Sequence, residues 1–150
     1  MAAQRLSRAT YERLRTEFED LTTRGRIDLA EKIERAREEG DLKENAGYHA
    51  AKDEQGHMEG RIRLLEHLLE SAEVVDSCPL YTFAYEGDGD DMAETYMIGH
   101  IEEQAPEGIE VMGPESPLGE ALLGAGEGDL VKYQAPGGEM RVRVLKVEHI

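Results

Sequence analysis

Residues 8 to 75 contain no proline, and their apolar side chains recur at spacings of three and four along two runs separated by one acidic turn. Few folds accept such a stretch. Without proline no position is barred from i→i−4 bonding, and the spacing lays one apolar stripe along each run. In the first run Leu14, Phe18 and Leu21 set the stripe, which weakens at "TTRGR" (22–26) and resumes with Leu29, Ile33 and Ala36. Ser7 stands where an N-cap belongs, and Gly40 is expected to end the run as a left-handed C-terminal glycine. In the second run Ala51, Gln55, Met58, Ile62, Leu65 and Leu69 form a heptad seam. Two such stripes joined by a short turn cover each other as an antiparallel helical hairpin. From Ala46 to Ala72 the second arm should reach about 40 Å at a rise of 1.5 Å per residue.

The pattern changes at "VVDSCPLYTFAYEGDGDD" (74–91), where Pro79 stops helix and 80–85 turns aromatic and β-forming. Further strands are expected in "ETYMIGHI", "GIEVM", "GDLVKYQA" and "MRVRVLKVEHI", the last with Val142, Val144 and also Leu145 inward and Arg141 and Arg143 exposed. "APGG" reads as the hairpin turn joining the final two. "SPLGEALLGA" reads as a short helix with Ser116 at its cap and Pro117 at its first position. The expected fold is α+β: a coiled-coil hairpin over 1–75, with an acidic tip at 38–48, followed by a small antiparallel sheet domain with a short helix over 76–150.

Charge narrows the function. The chain carries 17 Lys+Arg against 33 Asp+Glu, a net −16. Residues 1–75 hold 13 basic and 17 acidic side chains, and 76–150 hold 4 and 16, so the second half is by far the more acidic. General DNA binding through phosphate neutralisation needs a basic face, which is missing; a basic protein surface suits the second half better. A single cysteine, Cys78, excludes an internal disulfide and has no basic neighbour to make it a nucleophile. No apolar run approaches the roughly twenty residues that span a bilayer, so a cytoplasmic protein is expected.

The turn "EEGDLKENAGYHAAKDEQG" (38–56) carries the chemistry. Asp41 with Glu44 three positions on reads first as a capping box for the second helix. That leaves the extra acids Glu38 and Glu39 unexplained. Two carboxylates at this spacing also form part of a site for a hard divalent cation, although magnesium needs about six oxygens. His49 and His57 share a helix face but not a turn, and lack a third ligand for zinc. Tyr48 either packs at the tip or stacks on a base.

The run "AREEGDLKENAGYHAAKDEQGHMEGRI" closely resembles the tip of the bacterial Gre transcript cleavage factors, and "SPLGEALLG" with "DLVKYQAPGGEMRVRVLKVEHI" is similar to their C-terminal domain. The resemblance covers nearly the whole chain in order. It implies a C-terminal domain of FKBP-like fold and a monomeric, non-enzymatic elongation factor. Such a factor binds RNA polymerase, inserts its hairpin through the secondary channel and stimulates cleavage of backtracked RNA. By position, Asp41 and Glu44 match the tip acids that help hold a Mg²⁺ shared with the polymerase active site. The resemblance implies that Arg37, Lys52, Asn45 and Tyr48 contact the RNA 3′ segment, and that Ser116, Pro117 and Leu118 grip a coiled coil of the β′ subunit.

Three features depart from the family pattern: a shortened segment between Asp76 and Glu86, Gly47 where relatives often carry an acid, and the acidic excess of the second half. They keep open a Gre-like regulator that occupies the channel without promoting cleavage. A peptidyl-prolyl isomerase would need an aromatic-lined pocket, which a chain with no Trp and only Phe18 and Phe83 is poorly equipped to build. A generic acidic coiled-coil adaptor explains the heptads and not the tip.

Overall fold

The computed structural model describes residues 4–40 and 45–149, and resolves into two compact units. One is Tyr11–Ala72; the other combines the described parts of Met1–Thr10 and Glu73–Ile150. No helix among the described residues is long and apolar enough to cross a membrane.

The first unit is helical. Helix α1 (Arg8–Asp20) enters it at Tyr11 and runs through a π-turn (Leu21–Gly25) into α2 (Arg26–Glu38), and α3 (Ala46–Ser71) returns. The π-turn has a cause in the sequence. Leu14 and Leu21 are seven residues apart, as are Leu29 and Ala36, but eight separate Leu21 from Leu29. One wider turn absorbs the extra residue and keeps both halves of the stripe on one side. Threonines at the join compete for helix carbonyls: Thr22 donates to the Phe18 carbonyl at 2.8 Å and Thr23 to that of Glu19 at 2.6 Å.

Along the arms the ion-pair partners run in opposite directions, Glu17 with Arg61, Arg26 with Glu59 and Lys32 with Glu54, which defines an antiparallel pair. The Arg61–Glu17 contact is bidentate at 2.7 and 2.9 Å, and Arg26–Glu59 at 2.9 and 3.0 Å. Hydrogen bonding to Arg26 holds the Glu59 carboxyl below its ordinary range. Solvent screens such half-exposed pairs to little net stabilisation, whereas a leucine taken fully out of water contributes about 1.5–3 kcal/mol. Leu14, Leu29, Ala51, Ile62, Leu65 and Leu68 are all buried, so apolar burial holds the hairpin and the ion pairs set its register. The seam ends on Leu68, not on the expected Leu69, which is half-buried.

The second unit is built on a five-stranded sheet, in spatial order β5 (Glu110–Met112), β4 (Glu94–Ile98), β3 (Pro79–Tyr85), β7 (Gly138–His149) and β6 (Leu130–Ala135). The fold class is the α+β expected, with one departure: β5 lies parallel to β4. Residues 99–109 join them, a connection too long for a tight hairpin and long enough to carry the chain back to the same end. The β6–β7 hairpin does turn at Pro136–Gly137, closing on an Ala135–Gly138 pair in which Gly138 has φ +128°. Helix α4 (Pro117–Leu122) covers the sheet, and Phe83, Leu122, Val142 and Val144 form the centre of the core. A bulge at Leu145, between the Thr82–Lys146 and Phe83–Val144 pairs, shifts the inward phase so that Val147 also packs on this core.

Two further short strands carry no local sequence signal. β1 (Arg5–Ser7) pairs in parallel with β2 (Glu73–Val75), and this draws the N-terminal residues into the sheet-containing unit.

Candidate functional site at the hairpin tip

The chain leaves α2 at Glu38 and begins α3 at Ala46. Asp41 and Glu44, the residues most singled out by the sequence, lie outside the described residues, as does Lys43. The residues flanking them decide one question about them. The N-cap of α3 is Asn45, in extended conformation (φ −85°, ψ 95°), and its Oδ1 accepts from the Tyr48 amide at 3.0 Å. The capping reading of Asp41 with Glu44 is therefore corrected: the cap sits four residues later than Asp41, where asparagine serves as well as aspartate.

The expected ending of α2 is corrected too. Gly40 is not left-handed; α2 closes on Glu39 in right-handed geometry, with its amide donating to the Ala36 carbonyl at 3.3 Å. That carbonyl accepts a second hydrogen bond from the Asn45 side-chain amide. Both ends of the turn thus meet in one side chain, which gives an end carbonyl of α2 a second donor and satisfies an orphan amide of α3.

Arg37 is exposed and lies 3.9 Å from the Glu34 carboxylate. Lys52 is exposed and donates to Gln55 at 2.8 Å. Tyr48 is half-buried and meets His49 edge-to-face, with ring centroids 5.7 Å apart. No group of three or more His, Cys, Asp or Glu among the described residues could hold a metal ion.

In the sheet-containing unit Ser116 caps α4: its Oγ accepts from the Gly119 amide at 3.1 Å and donates to the Gly113 carbonyl at 2.8 Å. Gly119 is required there, because a Cβ would overlap that same Gly113 carbonyl oxygen. Pro117 is exposed, whereas Leu118 is 8 % exposed and packs into the core. A groove of about 470 Å³ elsewhere on this unit, lined by Thr95, Tyr96 and Ile109 among others, presents a single aromatic ring. That is not the aromatic pocket an isomerase needs.

Sequence reasoning missed the role of Asn45 and the partnership of Glu103 with Ser7. For Asn45 a signal existed, since asparagine directly before a helical run is a cap residue. For Glu103 nothing local announces a partner 96 positions away.

A helical hairpin and a small mixed-sheet unit, in that order along the chain, make up most of the described residues. Residues 4–74 match the family model "Transcription elongation factor, N-terminal", and residues 82–149 match "Transcription elongation factor, GreA/GreB, C-term". The chain is 44% identical to the transcription elongation factor GreA of Saccharopolyspora erythraea, over 95% of this chain and 93% of that protein. It is 35% identical to GreA of Thermotoga neapolitana, over 98% of each. Among solved structures it is similar to GreA factor homolog 1 of Thermus thermophilus, at 23% identity and a TM-score of 0.44 over 97% of this chain and 99% of that one. The chain belongs to the GreA/GreB family of transcription elongation factors.

Proposed function

We propose that this elongation factor binds RNA polymerase, inserts its hairpin tip into the secondary channel and stimulates the polymerase's own endonucleolytic cleavage of backtracked RNA. It has no active site of its own in this reading. The observation that carries it is the occupied cap: Asn45 already serves the start of α3, so capping does not account for Asp41 and Glu44.

Two carboxylates are hard oxygen donors of the kind Mg²⁺ takes, and they fall short of the roughly six oxygens it requires. Asp41 and Glu44 would therefore complete an ion held mainly by the polymerase. Such an ion, when bound, activates water or stabilises the leaving oxygen of a phosphodiester. Arg37 and Lys52 offer charge to the phosphates of an extruded RNA 3′ segment, and Tyr48 a ring face to its bases. Asn45 stands at the same tip with its amide already engaged by the backbone. Docking on the β′ coiled coil falls to Ser116 and the exposed Pro117, with Leu118 as their anchor in the core.

The test is a cleavage assay on stalled, backtracked elongation complexes. Added protein is expected to shorten the RNA from its 3′ end. Binding without shortening would make the chain a channel-occupying regulator instead.

A further inference from the structure

The geometry points to Asn45 as a positioning residue: its side chain clasps the last turn of α2 to the first turn of α3 and so sets the spacing of the two helix ends between which Asp41 and Glu44 lie in the sequence. This rests on the cleavage reading above and adds a residue to it. Oδ1 of Asn45 accepts from the Tyr48 amide, which starts α3, while Nδ2 donates to the Ala36 carbonyl in the last turn of α2. The Asn45 backbone carbonyl accepts from His49 at 3.1 Å, so the residue is joined to α3 by main chain and side chain together. Ala36 is itself buried at 9 % exposure, which anchors the other end of the clasp in the packed hairpin.

The chemistry is specific to an amide. Serine and aspartate cap helices about as well as asparagine, but neither carries an N–H donor. Aspartate has no donor at all, and serine must serve both ends from one hydroxyl oxygen a bond nearer the backbone, whereas asparagine, or a longer glutamine, offers separate acceptor and donor atoms. A residue needed solely as a cap would leave the Ala36 carbonyl to the Glu39 amide and water. Two carboxylates that complete a metal site must be held to within about half an ångström of their working positions, which makes closure of the turn a catalytic matter.

Asn45→Ser separates the two jobs, since it retains the cap and loses the bridge. Hydrogen exchange at the Tyr48 amide is expected to stay within about twofold of wild type in Asn45→Ser and to rise about fivefold in Asn45→Ala, which loses the cap as well. In polymerase-saturated complexes, Asn45→Ser is expected to cleave at least about tenfold more slowly at unchanged polymerase affinity. The clasp also has a readout independent of cleavage. Nitroxides at exposed positions 38 and 53 (E38C, D53C) report the distance across the turn, with Cys78 too buried to label. That distribution is expected to broaden in Asn45→Ser.

Wild-type cleavage by Asn45→Ser would overturn the proposal, as would an unchanged distance distribution. Loss of Tyr48 protection in Asn45→Ser would overturn it too, because failure of the cap would then explain any defect. If wild type itself does not stimulate cleavage, the functional reading fails, while the distance measurement still decides whether the turn is clasped.

Discussion

Ser7 donates its hydroxyl to Glu103 at 2.6 Å, joining the start of α1 to a loop 96 residues away within the same compact unit. The Ser7 amide and the Thr10 hydroxyl donate to the same carboxylate, each at 2.8 Å, and Glu103 is only 7 % exposed. Ser7 meanwhile accepts from the Thr10 amide at 3.3 Å as the N-cap of α1. Hydrogen bonds to an ionised acceptor contribute about 1.5–3 kcal/mol, and deleting the acceptor strands buried donors. Glu103→Ala is expected to lower unfolding free energy by about 2–4 kcal/mol, and Glu103→Gln by less, since its amide oxygen still accepts. Equal stability of Glu103→Ala and wild type in urea melts would contradict this.

Cys78 tests the same corner by pH. Burial pushes its thiol up to about 11, helped by the charge and hydrogen bond of Glu103, against an ordinary value of 9.0. The neutral thiol is the form that suits the fold. Its contribution to stability is thus fully present below pH 9 and is lost as pH rises from about 9 toward about 11. At pH 8 the native chain should hold about a hundredfold less thiolate than the unfolded one, and iodoacetamide should alkylate it correspondingly slowly. Glu103→Gln should speed that reaction. Native and denatured rates within twofold of each other would refute the burial argument.

Glycines give predictions of opposite sign. Gly56 lies within α3, and nothing stands within 4 Å of the place an alanine methyl would take, so Gly56→Ala should stabilise the hairpin by about 0.5–1 kcal/mol. Gly119→Ala must push against the Gly113 carbonyl and against Ser116 Oγ, and should cost about 1–3 kcal/mol and loosen the α4 cap. Thermal melts of both variants check the pair; a destabilised Gly56→Ala would mean that α3 needs its glycine.

The helical arms were legible because amphipathic spacing is a local signal, and Leu14, Leu29, Ile62 and Leu65 are buried as their periodicity requires. Strand β7 was legible by alternation as far as Val144, after which the bulge at Leu145 broke the period of two. What stayed hidden was non-local. The β1–β2 pair joins Arg5 to Glu73, and no pattern in either triplet names the other. At the tip Asp41 drew attention because acids at a helix start resemble a cap, but helix boundaries shift by a few residues and Asn45 took that place. Leu118 illustrates the converse: its neighbour Pro117 is exposed, yet the one-sided burial of a short helix sends Leu118 inward.

Arg37 and Lys52 lie on exposed faces flanking the tip. Removing both charges should reduce cleavage little for dinucleotide release and progressively more as the extruded RNA lengthens, with the salt dependence of the long-RNA reaction falling by about one phosphate contact per residue. Equal loss at every RNA length would make them solvated helix charges.

The most direct measurement compares wild type with Asp41→Asn and Glu44→Gln in cleavage of stalled elongation complexes across a Mg²⁺ titration. Neither substitution touches the Asn45 cap, so helix content and polymerase affinity should match wild type. A neutral amide is a poorer ligand for a hard, strongly hydrated cation. Cleavage is therefore expected to fall by at least about tenfold in each variant and to recover in part at high Mg²⁺. Full activity of both variants at low Mg²⁺ would contradict the account.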